Sequence, residues 1–84
     1  MTDPEIYAAL TEILGAVLDN DSIALSQDTT ADDVPGWDSM NHIFIVVEIE
    51  RRFGIKFDTS EMEELRTVGE LVHLIGNKLR AKSS

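Results

Sequence analysis

Residues 38–54 read DSMNHIFIVVEIERRFG, and this stretch decides the fold class. Its middle is rich in β-branched residues and, taken alone, would also suit a buried strand. However, no turn signal interrupts it between Asp38, a favourable N-cap, and Gly54, a favourable residue just past a helix C-terminus. Arg51 and Arg52 suit the negative end of a helix dipole. No second segment of similar strength could pair with it as a strand, so we predict a helix over residues 38–53.

The apolar residues of this helix cover more than one face. Four of them can face a core together, namely Ile45, Val46, Ile49 and Phe53. A surface helix needs only such a stripe. The helix carries further apolar residues on its flanks, namely Met40, Ile43, Phe44 and Val47. This excess indicates a central buried helix or a docking surface, and the two interpretations are compatible.

Helical spacing and caps predict three further helices. The first covers residues 3–18, begins at Thr2 or Asp3, and has Pro4 and Glu5 in its first turn. A capping-box pattern of Ser60 with Glu63 predicts a short helix over residues 60–65. The segment Thr67-Val68-Gly69-Glu70 repeats that pattern and opens a last helix over residues 67–80, after which residues 81–84 should fray.

The polar segment 19–37 is a long loop between the first two helices. Four apolar residues should pin it to the bundle, namely Ile23, Leu25, Val34 and Trp37. We therefore predict a single domain over residues 1–84, an all-α four-helix bundle with a short third helix and a long first loop. Its expected interior consists of Ile6, Leu10, Leu14, Val17, Ile45, Val46, Ile49, Phe53, Leu65, Val68, Leu71, Val72 and Ile75.

Composition excludes several classes of function. The chain has 84 residues, no cysteine and a formal net charge of −9. The first 50 residues contain eleven Asp or Glu and no Lys or Arg, which disfavours nucleic acid and favours basic partner surfaces. Without cysteine, thiol chemistry would need an imported thiol. The acidic N-terminus and the lack of a long apolar run predict a cytoplasmic protein with no membrane partner.

Metal binding receives little support from the sequence. Asp19, Asp21 and Asp28 suggest a calcium loop, but Ile23 occupies the third ligand position and Thr30 stands where a Glu is needed. His42 and His73 are isolated and lack the spacing of metal ligands. No metal site is therefore predicted.

Ser39 follows the presumed cap of the second helix. Backbone N–H groups are free at a helix start and the dipole is positive there, so a phosphate ester would be stabilised at this position. Asp and Ser are also common at helix starts for capping alone. Asp21-Ser22 is the same dipeptide without a long helix after it, so the pair itself is weak support and its context must decide.

Four segments supply that context: PGWDSM at 35–40, Ile45 with Ile49-Glu50, RFGIKF at 52–57 and LRTVGEL at 65–71. In this combination the chain resembles the acyl carrier protein family from about residue 5 to about residue 80. The resemblance implies that a phosphopantetheinyl transferase, using coenzyme A and magnesium, attaches 4′-phosphopantetheine covalently to Ser39, with Asp38 helping that transferase. The thiol of the arm would carry an acyl or aminoacyl group as a thioester, and the protein would not be an enzyme.

Departures from the family pattern bear on the pathway. Met40 replaces the usual Leu, Trp37 stands where housekeeping fatty-acid carriers have a small residue, and the second helix lacks their acidic exposed side. With its Gly36-Trp37-Asp38-Ser39 run, the chain resembles stand-alone carriers of specialised pathways, whether polyketide, peptide or aminoacyl. Expected partners are an acyl- or aminoacyl-loading ligase and a downstream synthase or transferase, bound by a monomeric carrier through Trp37, Met40, Ile43, Val47 and Glu50. A bound acyl chain could slip between the second and third helices near Met62 and Leu65.

A non-enzymatic helical adaptor with an unmodified Ser39 is the main alternative. It would use the apolar second helix and the acidic surface for binding alone. A metal-buffering acidic domain is a more distant alternative.

Overall fold

The computed structural model describes residues 2–20 and 22–83, and within them it contains four α-helices and no strand. The helices are α1 (Asp3–Leu18), α2 (Ser39–Phe53), α3 (Thr59–Glu64) and α4 (Val68–Ser83), and a 3-10 helix covers Ala31–Asp33. Helix α1 packs against α2 and α4. The predicted all-α bundle with a short third helix is confirmed, whereas Asp21 of the rejected calcium loop lies outside the described residues.

Helix α2 begins and ends at the residues that its sequence favours. The Oδ1 atom of Asp38 accepts a hydrogen bond from the Asn41 N–H at 2.9 Å, so Asp38 is the cap and the helix itself begins at Ser39. At the other end Gly54 has a φ of 65°, which glycine adopts without strain, and its N–H donates to the Glu50 carbonyl oxygen. The predicted helix over the β-branched run is therefore confirmed.

Helix α3 begins one residue before its predicted start, because a different capping box operates. Asp58 is the N-cap, and its N–H donates to Glu61 Oε1 at 2.9 Å. This hydrogen bond and a second from Lys78, at 2.9 Å, lower the pKa of Glu61. The predicted pairing of Ser60 with Glu63 was wrong, since two overlapping patterns of the same kind compete here and only one can cap the helix.

Helix α4 extends beyond its predicted end at residue 80. It continues to Ser83, whereas the predicted fraying of residues 81–84 stays a prediction and Ser84 lies outside the described residues. Lys82 Nζ lies 3.4 Å from the Phe53 carbonyl oxygen and donates to it. This contact ties the last turn of α4 to the end of α2, which explains why the helix persists.

The core lies where α1, α2 and α4 meet. Ten of the predicted interior residues are buried: Ile6, Leu10, Leu14, Ile45, Ile49, Phe53, Val68, Leu71, Val72 and Ile75. Val17, Val46 and Leu65 are only half-buried. The core also includes Ala9, Ile13 and Ile55.

The long first loop is held against the start of α4 by backbone hydrogen bonds. The Val68 N–H donates to the Thr29 carbonyl oxygen at 2.8 Å, and the Gly69 N–H donates to that of Gln27 at 3.0 Å. Val34 of the loop is buried, and its other predicted apolar anchors, Ile23, Leu25 and Trp37, are partly buried against the core. The loop therefore satisfies N–H groups that a helix start leaves without partners, which fixes the segment that leads to Ser39.

We expect Gly69→Ala to lower the free energy of unfolding by about 1–3 kcal/mol, because it overpacks this junction. The new Cβ would lie 2.8 Å from the Gln27 carbonyl oxygen and 2.9 Å from its Cβ. Gly76→Ala is the matched control, since its Cβ would meet nothing closer than 3.6 Å. That control should gain about 0.5–1 kcal/mol from helix propensity. Urea unfolding measures both, and equal changes in the two variants would contradict the clamped junction.

Candidate functional site

Ser39 is the first residue of α2, and its side chain is exposed. Within the described part of the chain its hydroxyl has no hydrogen-bond partner, so the oxygen is accessible to a reagent. The N–H groups of the first helical turn point towards the same end of α2, where the helix dipole is positive. This arrangement fits a phosphate ester on the hydroxyl, as predicted.

A tight turn before α2 positions Ser39. Gly36 has a φ of 88°, and its carbonyl oxygen accepts hydrogen bonds from the Asp38 N–H at 3.0 Å and from Asn41 Nδ2 at 2.7 Å. Asp38 also accepts from the Asn41 N–H. The side chain and the backbone of Asn41 thus fix Gly36 and Asp38, two of the residues of the turn that precedes Ser39. No local sequence pattern predicts this role of Asn41, because it depends on the positive φ at Gly36.

An open hollow surrounds Ser39. It has a volume of about 540 Å³ and is lined by Ala31, Asp32, Trp37, Asp38, Ser39 and His42. The two carboxylates give the hollow a negative charge, whereas the indole and imidazole rings form an apolar wall. The hollow has room for a flexible arm that leaves the hydroxyl of Ser39.

Trp37 and His42 form the wall of this hollow. Trp37 Nε1 donates a hydrogen bond to His42 Nδ1 at 3.1 Å, and the two rings stack with centroids 6.1 Å apart and an interplanar angle of 21°. Both side chains are half-buried. Burial lowers the pKa of His42 below its ordinary value of 6.5. The sequence suggested Trp37 as an anchor of the loop and His42 as an isolated histidine, but not that the two rings contact each other beside the helix cap.

Behind the rings lies a narrow apolar cavity of about 60 Å³ between α2, α3 and α4. Its walls include Ile45, Val46, Met62, Leu65 and Leu71. Met62 and Leu65 are the residues beside which an acyl chain was expected to enter.

An apolar patch covers the outer face of α2. It consists of Met40, Ile43, Phe44 and Val47, whose relative exposures are 70%, 63%, 56% and 44%. These flanking residues are therefore an exposed apolar surface, of the kind that can mark a binding site, rather than a buried face. Three of the predicted partner-binding residues, Met40, Ile43 and Val47, lie in this apolar patch, and Trp37 precedes it in the chain.

Glu50 lies outside the apolar patch. It is half-buried, and its Oε2 accepts a hydrogen bond from the Phe57 N–H at 2.8 Å. This contact fastens the segment between α2 and α3, so Glu50 has a structural role that its predicted partner contact did not anticipate. The charged residues nearer the apolar patch are already paired, Arg51 with Glu48 at 3.2 Å and Arg52 with Glu12 of α1 at 2.7 Å.

The described residues contain neither a candidate metal cluster nor a candidate membrane-spanning helix. Across residues 2–20 and 22–83 no group of three or more His, Cys, Asp or Glu side chains is arranged to hold a metal ion. In the same residues, no helix combines the length and the apolar character that crossing a membrane requires.

Comparison with known proteins places this geometry in a family. Residues 8–75 match the family model described as the phosphopantetheine attachment site. The chain is 31% identical over 75 residues to an acyl carrier protein of Thermotoga maritima, covering 89% of this chain and 93% of that protein. The family model covers most of the chain and the relative matches over nearly its whole length, so the alternatives of a plain adaptor and a metal-buffering domain are set aside.

Solved structures agree with this assignment. The solution structure of a holo acyl carrier protein from Geobacter metallireducens superposes with a TM-score of 0.85 at 41% identity, covering 90% of this chain and 87% of that one. A crystal structure of an acyl carrier protein from Thermotoga maritima superposes with a TM-score of 0.83 at 23% identity, which shows the shared fold; it covers 94% of this chain and 92% of that one.

The group that this family carries supplies a thiol that forms thioesters. An exposed hydroxyl at the electropositive start of α2 fits its phosphate, and the open hollow fits its flexible arm. A chain without cysteine needs such a thiol from outside. The chain therefore belongs to the acyl carrier protein family, whose members carry 4′-phosphopantetheine covalently and act as carriers rather than as catalysts.

Proposed function

We propose that Ser39 is the residue that carries the 4′-phosphopantetheine arm, transferred from coenzyme A by a phosphopantetheinyl transferase. The observation that carries this proposal is the exposed hydroxyl of Ser39 at the first residue of α2, without an internal hydrogen-bond partner among the described residues. A buried or bonded serine would have to be released before it could react. Asp38 caps the helix beside Ser39 and leaves its second carboxylate oxygen available to the transferase.

The experiment is to incubate the purified protein with coenzyme A, magnesium and a broad-specificity transferase and to weigh it. We expect a mass gain of one phosphopantetheine. An Asp38→Asn variant keeps a capping side chain, so we expect it to fold normally and to be modified more slowly. No gain under conditions that fully modify a control carrier would contradict the proposal.

We further propose that this carrier serves a specialised pathway instead of the general fatty-acid synthase. Its partners would be an acyl- or aminoacyl-loading ligase and a downstream synthase or transferase. Support comes from the apolar patch on α2, where housekeeping carriers present acidic residues. Arg51 and Arg52 add positive charge at the end of this face. We also propose that the carrier is cytoplasmic and works as a monomer. Sedimentation of the modified protein would test the monomeric state.

The proposed pathway predicts that enzymes of the general fatty-acid synthase use this carrier inefficiently. We expect the loaded carrier to be used by such an enzyme with a kcat/KM well below that of a housekeeping carrier, because basic docking surfaces find an apolar patch in place of carboxylates. A Phe44→Glu, Arg51→Glu double variant should regain part of the difference. Turnover of the unmodified sequence at the housekeeping rate would contradict a specialised role.

A further inference from the structure

The hollow at Ser39 and the apolar cavity behind it share three wall residues. Ala31, Trp37 and His42 line both of them. Ala31 is too small to separate the two spaces, so the separation depends on the two rings. Any group that hangs from Ser39 must therefore pass Trp37 and His42 to reach the cavity.

The hydrogen bond between these rings fixes the protonation state of the imidazole. Trp37 Nε1 can only donate, so His42 Nδ1 must accept with a free lone pair. The proton of the neutral imidazole then resides on Nε2. Protonation of Nδ1 would set two N–H groups against each other and break the bond.

We propose that His42 is a proton-operated latch, which with an unprotonated Nδ1 holds Trp37 across the passage between Ser39 and the apolar cavity and which releases Trp37 on protonation. The contact between the rings does not require the arm, but its consequence for cargo rests on the proposed role of Ser39. The latch controls the entry and exit of an apolar acyl chain. Most side chains that line the cavity are apolar, and the guanidinium of Arg66, which also lines it, would repel a charged amino group.

The direction of the pH response follows from burial. Asp32 and Asp38 are the charged groups that line the hollow at Ser39 together with His42. Arg66 is the charged group that lines the apolar cavity together with His42. Burial is what lowers the pKa of His42 when the rings are closed. An open imidazole regains its ordinary pKa near 6.5. The closed arrangement of the rings is therefore favoured above a pH of 6.5. Its free-energy advantage over the open arrangement decreases as the pH falls through this value and stops changing below the lower pKa of the closed state.

The latch is tested first in the unmodified protein, by NMR titration of the His42 ring and of the indole N–H of Trp37. Trp37 is the only tryptophan, so its signal is unambiguous. We expect the indole N–H to shift with the His42 midpoint. Its protection from solvent exchange, relative to free tryptophan at each pH, should fall several-fold on the acid side. If neither the chemical shift nor the exchange protection of the indole N–H changes as His42 titrates, the proposal is overturned.

Three variants sharpen this test. His42→Asn places an amide oxygen near the Nδ1 position and cannot titrate, so protection should persist at every pH. His42→Ala removes the acceptor, so protection should be absent throughout. His73→Ala removes the other histidine, which is exposed on α4, and should leave the wild-type response intact. A response that disappears in His73→Ala would also overturn the proposal.

The second stage tests the passage. The protein is loaded from a coenzyme A thioester that carries a short acyl chain with a terminal trifluoromethyl group, and ¹⁹F NMR separates sheltered from exposed chains. We expect exchange between the two signals to accelerate as the pH falls through the His42 midpoint, and to be fast and pH-independent in His42→Ala. Exchange that is insensitive to both changes would overturn the gating role. A failure of Ser39 to accept the arm would instead defeat the proposed function, while the first stage still decides the latch.

Discussion

Replacing Ser39 with alanine is expected to abolish the attachment of phosphopantetheine completely. The reaction needs an oxygen nucleophile at the start of α2, and alanine leaves none there. Because Ser39 is exposed and has no internal partner in the described residues, the substitution should change the free energy of unfolding by no more than about 0.5 kcal/mol. Intact-protein mass after incubation with coenzyme A, magnesium and the transferase measures the effect.

Ser22→Ala is the matched control for this experiment. Ser22 is exposed and also follows an aspartate in the sequence, but it lies in the long loop, where its N–H donates to Asn20 Oδ1. No helix start surrounds it, so this variant should gain the arm at the wild-type rate. A Ser39→Ala protein that still gains mass, or a Ser22→Ala protein that fails to, would show that the helix start does not define the attachment site.

Truncating Ile49 to alanine should strongly destabilise the protein while leaving Ser39 and the residues that line its hollow in place. Its side chain is fully buried, with a relative exposure of 0%. Removing the buried methyl groups and leaving a cavity costs about 2–5 kcal/mol. A domain of this length has a total stability of only about 4–12 kcal/mol, so a large part of the population could unfold. Urea unfolding followed by circular dichroism gives the difference.

Ile43→Ala makes the same chemical change on the opposite face of the same helix. Ile43 is 63% exposed, so its truncation should alter stability by no more than about 0.5 kcal/mol. The pair therefore separates the core face of α2 from its exposed apolar patch. Equal losses in the two variants would mean that the apolar patch is buried in solution and unavailable to partner enzymes.

Much of the fold could be predicted because local signals agree with one another along most of the chain. Asp38 and Gly54 bracket α2, and the apolar spacing of α1 and α4 identifies their buried sides. Where two local signals compete, the sequence cannot choose. Asp58 with Glu61 and Ser60 with Glu63 are equally good capping pairs, and the contact of Glu61 with Lys78 on α4 accompanies the first. Such a contact between elements is invisible in a local pattern.

The geometry at Ser39 and Asp38 was predictable, because it depends on a single helix start. The pairing of Trp37 with His42 was not, because it depends on how the turn at Gly36 folds back over the first turn of α2. The structural role of Glu50 was not predictable for a similar reason. Its place on the helix suggested a surface contact, but the segment after Gly54 folds back so that the Phe57 N–H reaches its carboxylate.

The central claim is that one exposed hydroxyl at the electropositive end of α2 holds the arm. The most direct measurement is fragmentation mass spectrometry of the wild-type protein after transferase treatment, which locates the added group on a single residue. The account predicts that every modified fragment contains Ser39 and that fragments on either side of it have their unmodified masses. Localisation of the group on any other residue, with Ser39 unmodified, would contradict the account.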